Sequence, residues 1–353
     1  MSKLNVAVVG CGYIANGHLR SWKKISEANV VAVVDLNEEL ARKTAEYWKV
    51  EQYYSSSDNM YENVHPDVVD ICTPPQTHSK LAVQSMSKGI HTLIEKPMTM
   101  TVKDSQTILE AENNSKTISG VIHNWLFEPP IPKVREYVKK GRIGKINHVD
   151  LKALNTLDDW MARDEKHWCH RLQGGRFGEM LTHPIYLVKH FIGEVKLENI
   201  RVSKIGPYSW MKSDELVATL SADKRFGTFY GTFNSPRQAI ILTLHGEKAL
   251  LSIDMINGIV TMLPSRPVGK TGITKDSISQ ATQTLSSTLG NIGDVVMGNW
   301  MTGHDEYIKQ YVKAILTGGS PPVSISEGYE VIQILEEMIK EIEKQERPSE
   351  QIS

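Results

Sequence analysis

The first third of the chain alternates short apolar runs with segments of helical periodicity. The apolar runs contain many β-branched residues and little polar alternation, a pattern typical of strands that are covered on both faces. These runs predict five strands, at residues 6–9, 30–34, 67–72, 91–94 and 118–122. Helices are predicted between them, at residues 37–48, 79–88 and 102–114. Strands that alternate with helices predict a doubly wound, parallel sheet.

The pattern of apolar positions changes after residue 122. A cluster of prolines, from Pro129 to Pro132, opens a predicted helix at 133–140, and Gly141 is placed to end it. Longer strands are predicted beyond that point, at residues 146–153, 198–205, 215–220, 227–233, 239–245 and 249–254. Because short polar turns join consecutive strands, these segments predict a mostly antiparallel sheet.

The last quarter of the chain begins with a segment of different composition. Residues 264–298 are rich in Ser, Thr, Gly and Gln, and we expect them to form a mobile insertion or a covering arm. Two helices are predicted after it, at 304–316 and 327–344. With 353 residues, the chain exceeds what a single core usually organises. The sequence therefore predicts an α/β protein of two domains, at residues 1–122 and 123–353.

The charge balance argues against several classes of partner. The chain has 40 Lys and Arg against 41 Asp and Glu, so its formal net charge is −1. Because nucleic acids and anionic membranes attract basic chains, we expect neither as a partner. No run approaches the roughly 18 apolar residues that cross a bilayer. The three cysteines, Cys11, Cys72 and Cys169, are far apart and odd in number, which favours a reducing cytoplasm over a disulfide framework.

A glycine-rich sequence connects the first strand to the first helix. Gly10, Gly12 and Ala15 occupy the small-residue positions of a G-x-G-x-x-A pattern, and Tyr13 and Ile14 open the helix. The first glycine suits a tight turn, the second lets a pyrophosphate approach the backbone, and the helix N-terminus attracts phosphate. In this strand–helix setting the pattern predicts that the turn binds a dinucleotide.

Asp35, at the end of the second strand, indicates which dinucleotide is bound. Its carboxylate is placed to accept hydrogen bonds from a ribose hydroxyl and to repel a 2′-phosphate. Leu36 and Asn37 follow it, so no adjacent arginine favours NADP. We therefore predict NAD as the cofactor and leave some use of NADP open. The alternative is that the glycines only form a turn and Asp35 only caps the next helix.

Two further motifs resemble those of one oxidoreductase family. Thr73-Pro74-Pro75-Gln76-Thr77-His78 follows a predicted strand and resembles the family's T-P-x-x-x-H, and Glu95-Lys96-Pro97 matches its E-K-P. Further similarities lie at Gly120–Asn124, Gly141–Gly144 and Ala314–Gly318. On these motifs, the chain resembles the glucose–fructose oxidoreductase/inositol dehydrogenase/MocA (Gfo/Idh/MocA) family.

The resemblance implies an architecture and a reaction. It implies an N-terminal Rossmann domain that binds NAD(P), and a cofactor site lined by Thr73, Pro74, His78, Glu95 and Lys96. It also implies a C-terminal α+β domain that binds the substrate and forms a homodimer or homotetramer through its open sheet. The reaction implied is hydride transfer at a hydroxyl carbon, usually of a sugar, an inositol or a sugar nucleotide.

Lys96 is the first candidate catalytic residue. It follows a parallel strand, at the edge of the sheet where doubly wound folds bind their ligands. An ammonium group there can hydrogen-bond the substrate oxygen and stabilise the negative charge that develops as hydride leaves. Pro97 biases Lys96 away from helical geometry. Outside this motif, a lysine before a proline would usually be an ordinary surface residue.

A second candidate motif runs from Gly174 to His183 and resembles the family's G-G-x-x-x-D-x-x-x-H, whose acid and histidine line the substrate pocket. Histidine is suited to proton transfer near neutrality, and Glu179 would orient the ring or bind a substrate hydroxyl. Here Glu179 replaces the usual Asp, and Pro184 disfavours ordinary helix geometry at His183. A kinked helix, a new helix near His183 and a buried structural histidine all stay open.

Three more residues are candidate substrate contacts. Trp168 and Arg171 resemble the family's W-R region, although two residues separate them here. An aromatic face and a guanidinium suit a sugar or an anionic substituent. Asn124 matches the asparagine of the family's N-x-R, but Leu126 stands where the arginine is expected, so that contact is not carried over.

Other functions were weighed on the same residues. A zinc site is suggested by a group of potential ligands, namely His167, Cys169, His170, Glu179 and His183. Their spacing matches no common zinc motif, so we predict that no metal is bound. Two alternatives to a dehydrogenase stay open: an NAD-retaining glycosidase on the same scaffold, and a non-catalytic sensor of NAD or sugar.

Overall fold

The computed structural model describes residues 3–266, 269–298 and 301–347. These residues form two compact units. The first unit extends to Phe127 and also contains Thr302–Glu336, while the second runs from Glu128 to Met301 and resumes at Glu337. The chain therefore returns to its first unit near the C-terminus. This return differs from the simple division that we predicted at residues 122 and 123.

The first unit contains a six-stranded sheet with flanking helices, which are numbered here along the whole chain. Its strands are β1 (Leu4–Val9), β2 (Ala28–Val34), β3 (Gln52–Tyr54), β4 (Val68–Ile71), β5 (His91–Ile94) and β6 (Ser119–Val121). Its helices are α1 (Tyr13–Lys23), α2 (Glu38–Trp48), α3 (Ser57–Asn63), α4 (His78–Ser87), α5 (Val102–Asn113), α11 (Gly303–Thr317) and the first part of α12 (Ile325–Glu346). Short 3₁₀ helices occupy Pro75–Thr77 and Asn124–Phe127.

The strand order of this sheet creates a ligand crevice. All neighbouring strands are parallel, in the order β3-β2-β1-β4-β5-β6. The central strands are buried on both faces, as their continuous apolar runs predicted; Val6, Val8 and Ile71 are fully buried. The order reverses between β1 and β4, so the loops after these strands diverge and leave a crevice at their carboxyl ends. The predicted Rossmann domain is confirmed.

Helix α11 joins the first unit through buried tyrosines. Tyr307 and Tyr311 are fully buried, and the Tyr311 hydroxyl donates to the carbonyl of Ile118, 2.8 Å away. Thr302 and Asp305 cap the start of the helix reciprocally, and the Asp305 carboxylate also accepts from Ser21 on α1 at 2.6 Å. These contacts explain why this segment packs with the N-terminal sheet, although it lies far away in sequence.

The second unit contains a larger sheet. Its strands are β7 (Ile146–Leu154), β8 (Lys196–Ser203), β9 (Glu215–Ala222), β10 (Arg225–Thr232), β11 (Ala239–Gly246), β12 (Ala249–Asp254) and β13 (Ile259–Pro264). Its helices are α6 (Pro130–Lys139), α7 (Trp160–Arg163), α8 (Gly175–Met180), α9 (Thr182–Ile192), α10 (Lys270–Val296) and the end of α12, with a 3₁₀ helix at Trp168–Arg171. The strand order is β13-β12-β11-β7-β10-β9-β8.

This sheet is antiparallel except where β7 pairs with β10. The predicted large, mostly antiparallel sheet is therefore confirmed. Helix α9 packs against β7 and β10. Gly227 permits this close approach, because a Cβ atom at that position would lie only 2.2 Å from Cγ1 of Val188 on α9.

The structure shows the secondary structure of the segment at 264–298, which we expected to form a mobile insertion or a covering arm. Pro264 ends β13, and Lys270–Val296 form the single long helix α10 beside that edge strand. Residues 267 and 268 lie outside the described part of the chain. Among the described residues, no helix is both long enough and apolar enough to cross a membrane.

Candidate active site

The glycine-rich turn after β1 has the geometry of a dinucleotide cradle. Gly10 has a positive φ of 97°, and a Cβ atom there would lie 2.7 Å from the carbonyl oxygen of Cys72. Only glycine fits that position without strain. At Gly12, a Cβ atom would meet nothing within 4 Å. The backbone at Gly12 is therefore open to the close approach of a pyrophosphate, as the sequence pattern predicts.

The helix that follows this turn presents its first N–H groups without a side-chain cap. Gly12 precedes α1 and offers no capping oxygen, while Tyr13 at the start of the helix is exposed and Ile14 is half-buried. Backbone N–H groups in this position favour an anion. The residues present therefore fit the phosphates of NAD.

Asp35 has a second role that the sequence did not indicate. One carboxylate oxygen accepts from the backbone N–H of Cys11 at 2.9 Å, and the other accepts from the N–H of Asn37 at 2.9 Å. The carboxylate thus ties the end of β2 to the glycine turn. Each oxygen of a carboxylate has a further lone pair, so these bonds leave acceptor capacity for a ribose hydroxyl.

The loop after β4 is held by a buried histidine. Nε2 of His78 lies 2.7 Å from the carbonyl oxygen of Thr73, and Nδ1 lies 3.0 Å from that of Pro97. His78 therefore joins the loop that contains Thr73 and Pro74 to the loop that contains Lys96. Because its side chain is fully buried, its direct contact with a cofactor stays a prediction, and the role that the structure supports is the positioning of these two loops.

Glu95 and Lys96 follow β5 at the same sheet edge. Glu95 is buried, and one of its carboxylate oxygens accepts from the backbone N–H of Lys96 at 2.7 Å. The other oxygen lies 3.1 Å from Nε2 of His18 and 3.2 Å from Nε2 of His304. Glu95 thus anchors the backbone of the half-buried Lys96 to two histidines from α1 and α11.

His18 lies between two buried carboxylates. Its Nδ1 is 2.8 Å from Oδ2 of Asp70, opposite the contact with Glu95, and Asp70 also accepts from the Trp22 indole N–H at 2.6 Å. The Cys72 thiol lies 3.2 Å from the same Nδ1. An imidazole flanked by two acceptors is satisfied on both sides only when it is protonated. The geometry therefore indicates a buried imidazolium at His18.

The electrostatics of this cluster follow from its burial and its charges. Burial alone lowers the pKa of His18, but the neighbouring Asp70, together with Cys72, outweighs it and raises that pKa well above its ordinary value. Burial alone raises the pKa of Glu95, but hydrogen bonds from His18 and His304 bring it well below its usual range. Burial, with the charges of His18 and Lys96, lowers the pKa of His304 despite Glu95. His304 is therefore neutral near pH 7.

The same cluster contains the two groups of residues with metal-ligand geometry in the described part of the chain. These groups are His18 with Asp70 and Cys72, and His18 with Glu95 and His304. The imidazolium hydrogen-bonds both Asp70 and Glu95, so these contacts need no ion to explain them. Among the described residues, the five potential zinc ligands considered from the sequence do not come together in such a group.

Asn124, at the end of the first unit's sheet, has an unsatisfied polar atom. Its Oδ1 is buried and has no hydrogen-bond partner among the described residues. A buried acceptor without a donor is costly, so a bound molecule that offers a donor would stabilise it. The neighbouring His123 is buried, and burial lowers its pKa to about 3, so it stays neutral. These observations support Asn124 as a candidate ligand contact.

In the second unit, the motif from Gly174 to His183 forms two short helices. Helix α8 ends at Met180 and α9 begins at Thr182, so His183 and Pro184 both lie in the first turn of α9. Proline is tolerated there because the first-turn N–H groups have no intrahelical acceptor. Of the alternatives left open by the sequence, the structure shows a new helix that begins beside His183.

The side chains of this motif form two buried pairs. Glu179 pairs with Arg176, whose Nε also lies 3.5 Å from Oδ1 of Asp159. Nδ1 of His183 lies 2.6 Å from the hydroxyl of Tyr186. Tyr186 therefore contacts the His183 ring at Nδ1, and the role that we predicted for Glu179 stays a prediction. Beside His183, the Thr182 hydroxyl oxygen is buried without a hydrogen-bond partner in the described chain, so the site has an unsatisfied polar group.

Trp168 and Arg171 lie on one 3₁₀ helix that precedes α8. The Trp168 ring is half-buried and lies 5.2 Å, between ring centres, from that of His167. Arg171 is exposed. The structure gives an aromatic surface at Trp168, and the predicted substrate contacts of both residues stay predictions.

Several residues of these sites were missed from sequence. Arg176 and Tyr186 were missed although each is three residues from its partner, a spacing that places helical side chains together. His18 and Asp70 come from two distant segments, and no local pattern connects them. A histidine one turn into the first helix of a Rossmann unit was the only available signal for His18.

Comparison with known families agrees with this geometry. Residues 4–123 match the family described as an oxidoreductase family with an NAD-binding Rossmann fold, and residues 135–348 match that family's C-terminal alpha/beta domain. The chain belongs to the Gfo/Idh/MocA family. It is therefore an NAD-dependent oxidoreductase, as its motifs predicted.

Known members of the Gfo/Idh/MocA family resemble the chain over different lengths. The myo-inositol 2-dehydrogenase of Thermotoga maritima is 23% identical over 335 residues, 92% of each chain. The levoglucosan dehydrogenase of Pseudarthrobacter phenanthrenivorans is 26% identical over 217 residues, and the match spans only 55% of that enzyme. The WlbA dehydrogenase of Bordetella pertussis, solved with NADH and UDP-GlcNAcA, has a TM-score of 0.77 at 19% identity, and 96% of each chain is covered. This last likeness supports the fold.

Proposed function

We propose that this enzyme transfers hydride between NAD and a secondary hydroxyl carbon of a sugar, an inositol or a sugar nucleotide. The observation that carries the proposal is the position of Lys96. Lys96 follows β5 at the carboxyl edge of the sheet that also holds the glycine turn and Asp35. The named dehydrogenases among the relatives act on substrates of this class, and they give no support to a glycosidase or a sensor.

The bound nicotinamide would accept the hydride, and residues of the chain would manage the proton and the charge. The Lys96 ammonium would hydrogen-bond the substrate oxygen and stabilise its negative charge. Glu95 would hold the Lys96 backbone in place through its 2.7 Å hydrogen bond. Phosphates would lie against the glycine turn, and the ribose hydroxyls would bond to Asp35.

His183 is the proposed proton carrier of the second unit. The Tyr186 hydroxyl can accept from a protonated Nδ1, which leaves Nε2 as the nitrogen that takes up or returns a proton. Proton exchange with the substrate would then occur at Nε2. Arg176 holds Glu179 within this unit, where the acid would accept a substrate hydroxyl. Trp168 and Arg171 are proposed to contact the sugar ring and an anionic substituent.

The assembly and location belong to the proposal as well. Alternate residues of the large sheet face outward, and Val217, Phe226 and Leu250 are exposed there. We propose that this outer face joins subunits into a homodimer or homotetramer, since exposed apolar surface of this kind favours association. The three buried free cysteines accord with a reducing cytoplasm.

The test is nicotinamide absorbance with NAD across inositols, pentoses, anhydrosugars and sugar nucleotides. Replacing Lys96 with Ala should lower kcat/KM for the active substrate by roughly 10²–10⁴-fold, because a positioned proton-handling group contributes that much. Lys80→Ala removes an exposed lysine of the same unit and serves as the control. Full activity in Lys96→Ala, or bound NAD without net reduction of any substrate, would contradict the proposal.

A further inference from the structure

Helix α10 is a long helix without a buried residue. It spans 27 residues, Lys270–Val296, which corresponds to a length of about 40 Å. Thr, Ser and Gly make up much of it, and these residues favour helix less than Ala, Leu or Glu do. Most helices in proteins are stabilised by packing of an apolar face. A helix of this composition therefore needs a packing partner.

The polar side of α10 faces the helix's own sheet. The Gln283 side chain accepts from the backbone N–H of Met262 at 2.8 Å and donates to its carbonyl at 3.0 Å. Asn291 donates to the carbonyl of Asn257 at 2.7 Å. Met262 belongs to the edge strand β13, so Gln283 pairs with that strand as a neighbouring strand would. These bonds determine which way the helix faces.

The apolar side of α10 faces away from the sheet. Ile278, Leu285, Leu289, Ile292 and Val296 recur at intervals of three, four or seven residues, which places them in one stripe. Leu285 and Leu289 are each 60% exposed, and Ile292 is 53% exposed. In an ordinary amphipathic helix such a stripe faces the core. Here the orientation is reversed, which indicates that another molecule covers the stripe.

The charge pattern of α10 argues against a membrane as that molecule. Helices that lie on membranes carry Lys and Arg along their polar side. Residues 277–293 of α10 contain no charged residue at all, and the polar side is hydrogen-bonded to the sheet. A neutral, apolar stripe instead suits a protein surface of the same kind, because two such stripes meet without charge repulsion.

Leu285 is the centre of a symmetric spacing within the stripe, in which Ala281 is the counterpart of Leu289 and Thr274 that of Val296. Ile278 and Ile292 lie seven residues on either side of it, and Thr282 and Thr288 lie three residues on either side. In a two-fold symmetric contact, a residue that touches a given position of the partner subunit is itself touched by the partner's copy, so every contact between two different positions occurs twice. An antiparallel pair of α10 helices that crosses at Leu285 places Ile278 against Ile292 of the partner subunit. It also places Leu285 against Leu285 of the partner subunit.

We propose that α10 is a self-association element, and that it packs antiparallel against α10 of a second copy across a two-fold axis at Leu285. Two stripes about 40 Å long would bury on the order of 800 Å² in total, which is less than the ~1,200 Å² of a standard specific interface and corresponds to a weak contact. A groove of about 630 Å³ flanks the end of α10, where Ile292, Val295 and Val296 line it together with polar residues that include Arg237, Asp254 and Asn257. The contact is separate from the outer sheet face.

The two-fold axis is tested by cross-linking. In Leu285→Cys, the two engineered thiols meet at the axis, and oxidised glutathione should convert them to a disulfide-linked dimer by accepting their two electrons and two protons. The native cysteines are buried and should not compete. Thr284→Cys, exposed on the flank of the stripe, is the matched control and should cross-link slowly or not at all. Equal rates in the two variants would contradict the axis.

Association is tested by sedimentation with charged variants. Leu285→Glu combined with Ile292→Glu should weaken subunit association by at least ~100-fold and halve the native mass, because two apolar side chains per subunit lose their burial. Thr284→Glu is the control and should keep the native mass. Both sites are exposed, so circular dichroism should stay unchanged. An unchanged mass in the double variant, or binding of anionic vesicles by a monomeric wild type, would overturn the proposal.

Discussion

Some residues of this protein have two roles, of which the sequence motif indicates only one. Asp35 was predicted to select NAD, and the structure shows that it also holds the glycine turn through Cys11. Glu95 belongs to the E-K-P motif, and its carboxylate also accepts hydrogen bonds from the side chains of His18 and His304. The proposed catalytic residue, Lys96, is therefore adjacent in sequence to Glu95, which holds its backbone.

Replacing Asp35 separates its two roles. Asp35→Ala should weaken NAD binding by roughly 10–100-fold, because hydrogen bonds to a carboxylate contribute about 1.5–3 kcal/mol. Binding of NADP should weaken less, since a charge that repels the 2′-phosphate is removed. Asp35→Asn keeps one acceptor for the Cys11 N–H and should relax the preference with a smaller loss of affinity. Calorimetric titration with both cofactors measures this, and an unchanged NAD-to-NADP ratio would refute the assignment.

The buried imidazolium of His18 predicts a specific pH dependence of stability. The pKa of His18 is raised on folding. Its contribution to the free energy of unfolding is therefore complete below the unfolded-state pKa of about 6.5, and it is lost as the pH rises from there through the folded-state pKa. Over that interval, the wild type should lose about 1.4 kcal/mol of unfolding free energy per pH unit relative to His18→Gln. Denaturant titrations from pH 6 to 9 measure the difference.

The exposed His65 provides the control for this measurement. His65→Gln should keep the pH dependence of the wild type, because its side chain has no place in the buried cluster. Parallel stability curves for the wild type and His18→Gln would show that His18 is not held as a buried cation.

At the scale of elements, the boundaries follow from local chemistry and the orientation follows from contacts. Thr101 and Asn37 cap their helices with side-chain oxygens, and the predicted starts at 102 and 37 fall within a residue of the observed ones. The orientation of α10, in contrast, does not follow from its local sequence. Its apolar spacing is that of any amphipathic helix, and only the bonds of Gln283 and Asn291 show which side faces the sheet.

The packing of α9 on the large sheet depends on Gly227. Gly227→Ala should cost about 1–3 kcal/mol of unfolding free energy, because the new Cβ would overlap with Val188. Val188→Ala removes the clashing methyl groups, so the double variant should be more stable than the sum of the two single effects predicts. Gly290→Ala, which meets nothing within 4 Å, is the control and should not destabilise. Additive effects at 227 and 188 would contradict the contact.

At the scale of the whole molecule, the division of the chain is not sequential. Residues 302–336 return to the first unit, where Tyr307 and Tyr311 complete its core and His304 reaches Glu95. The cofactor-binding unit is therefore completed only when the C-terminal segment is in place. The two proposed association surfaces, the outer sheet face and α10, both belong to the second unit.

The sequence by itself determined the Rossmann sheet, the mostly antiparallel second sheet, the glycine turn and the family. These features depend on local periodicity, on turn residues such as Gly10 and on contiguous motifs such as Glu95-Lys96-Pro97, which act over a few residues. The proposed roles of Lys96 and His183 also come from motifs, and they await the experiments above.

Only the tertiary structure decided which side chains meet across distant segments. The cluster of His18, Asp70, Glu95 and His304 joins strand β4, the loop after β5 and two helices, whose sequences contain no shared pattern. Packing likewise determined that Arg176 pairs with Glu179 and that Tyr186 pairs with His183. It also determined that the apolar face of α10 points outward. The physical reason is that hydrophobic spacing specifies that a face is buried, while the geometry of the surrounding elements specifies what buries it.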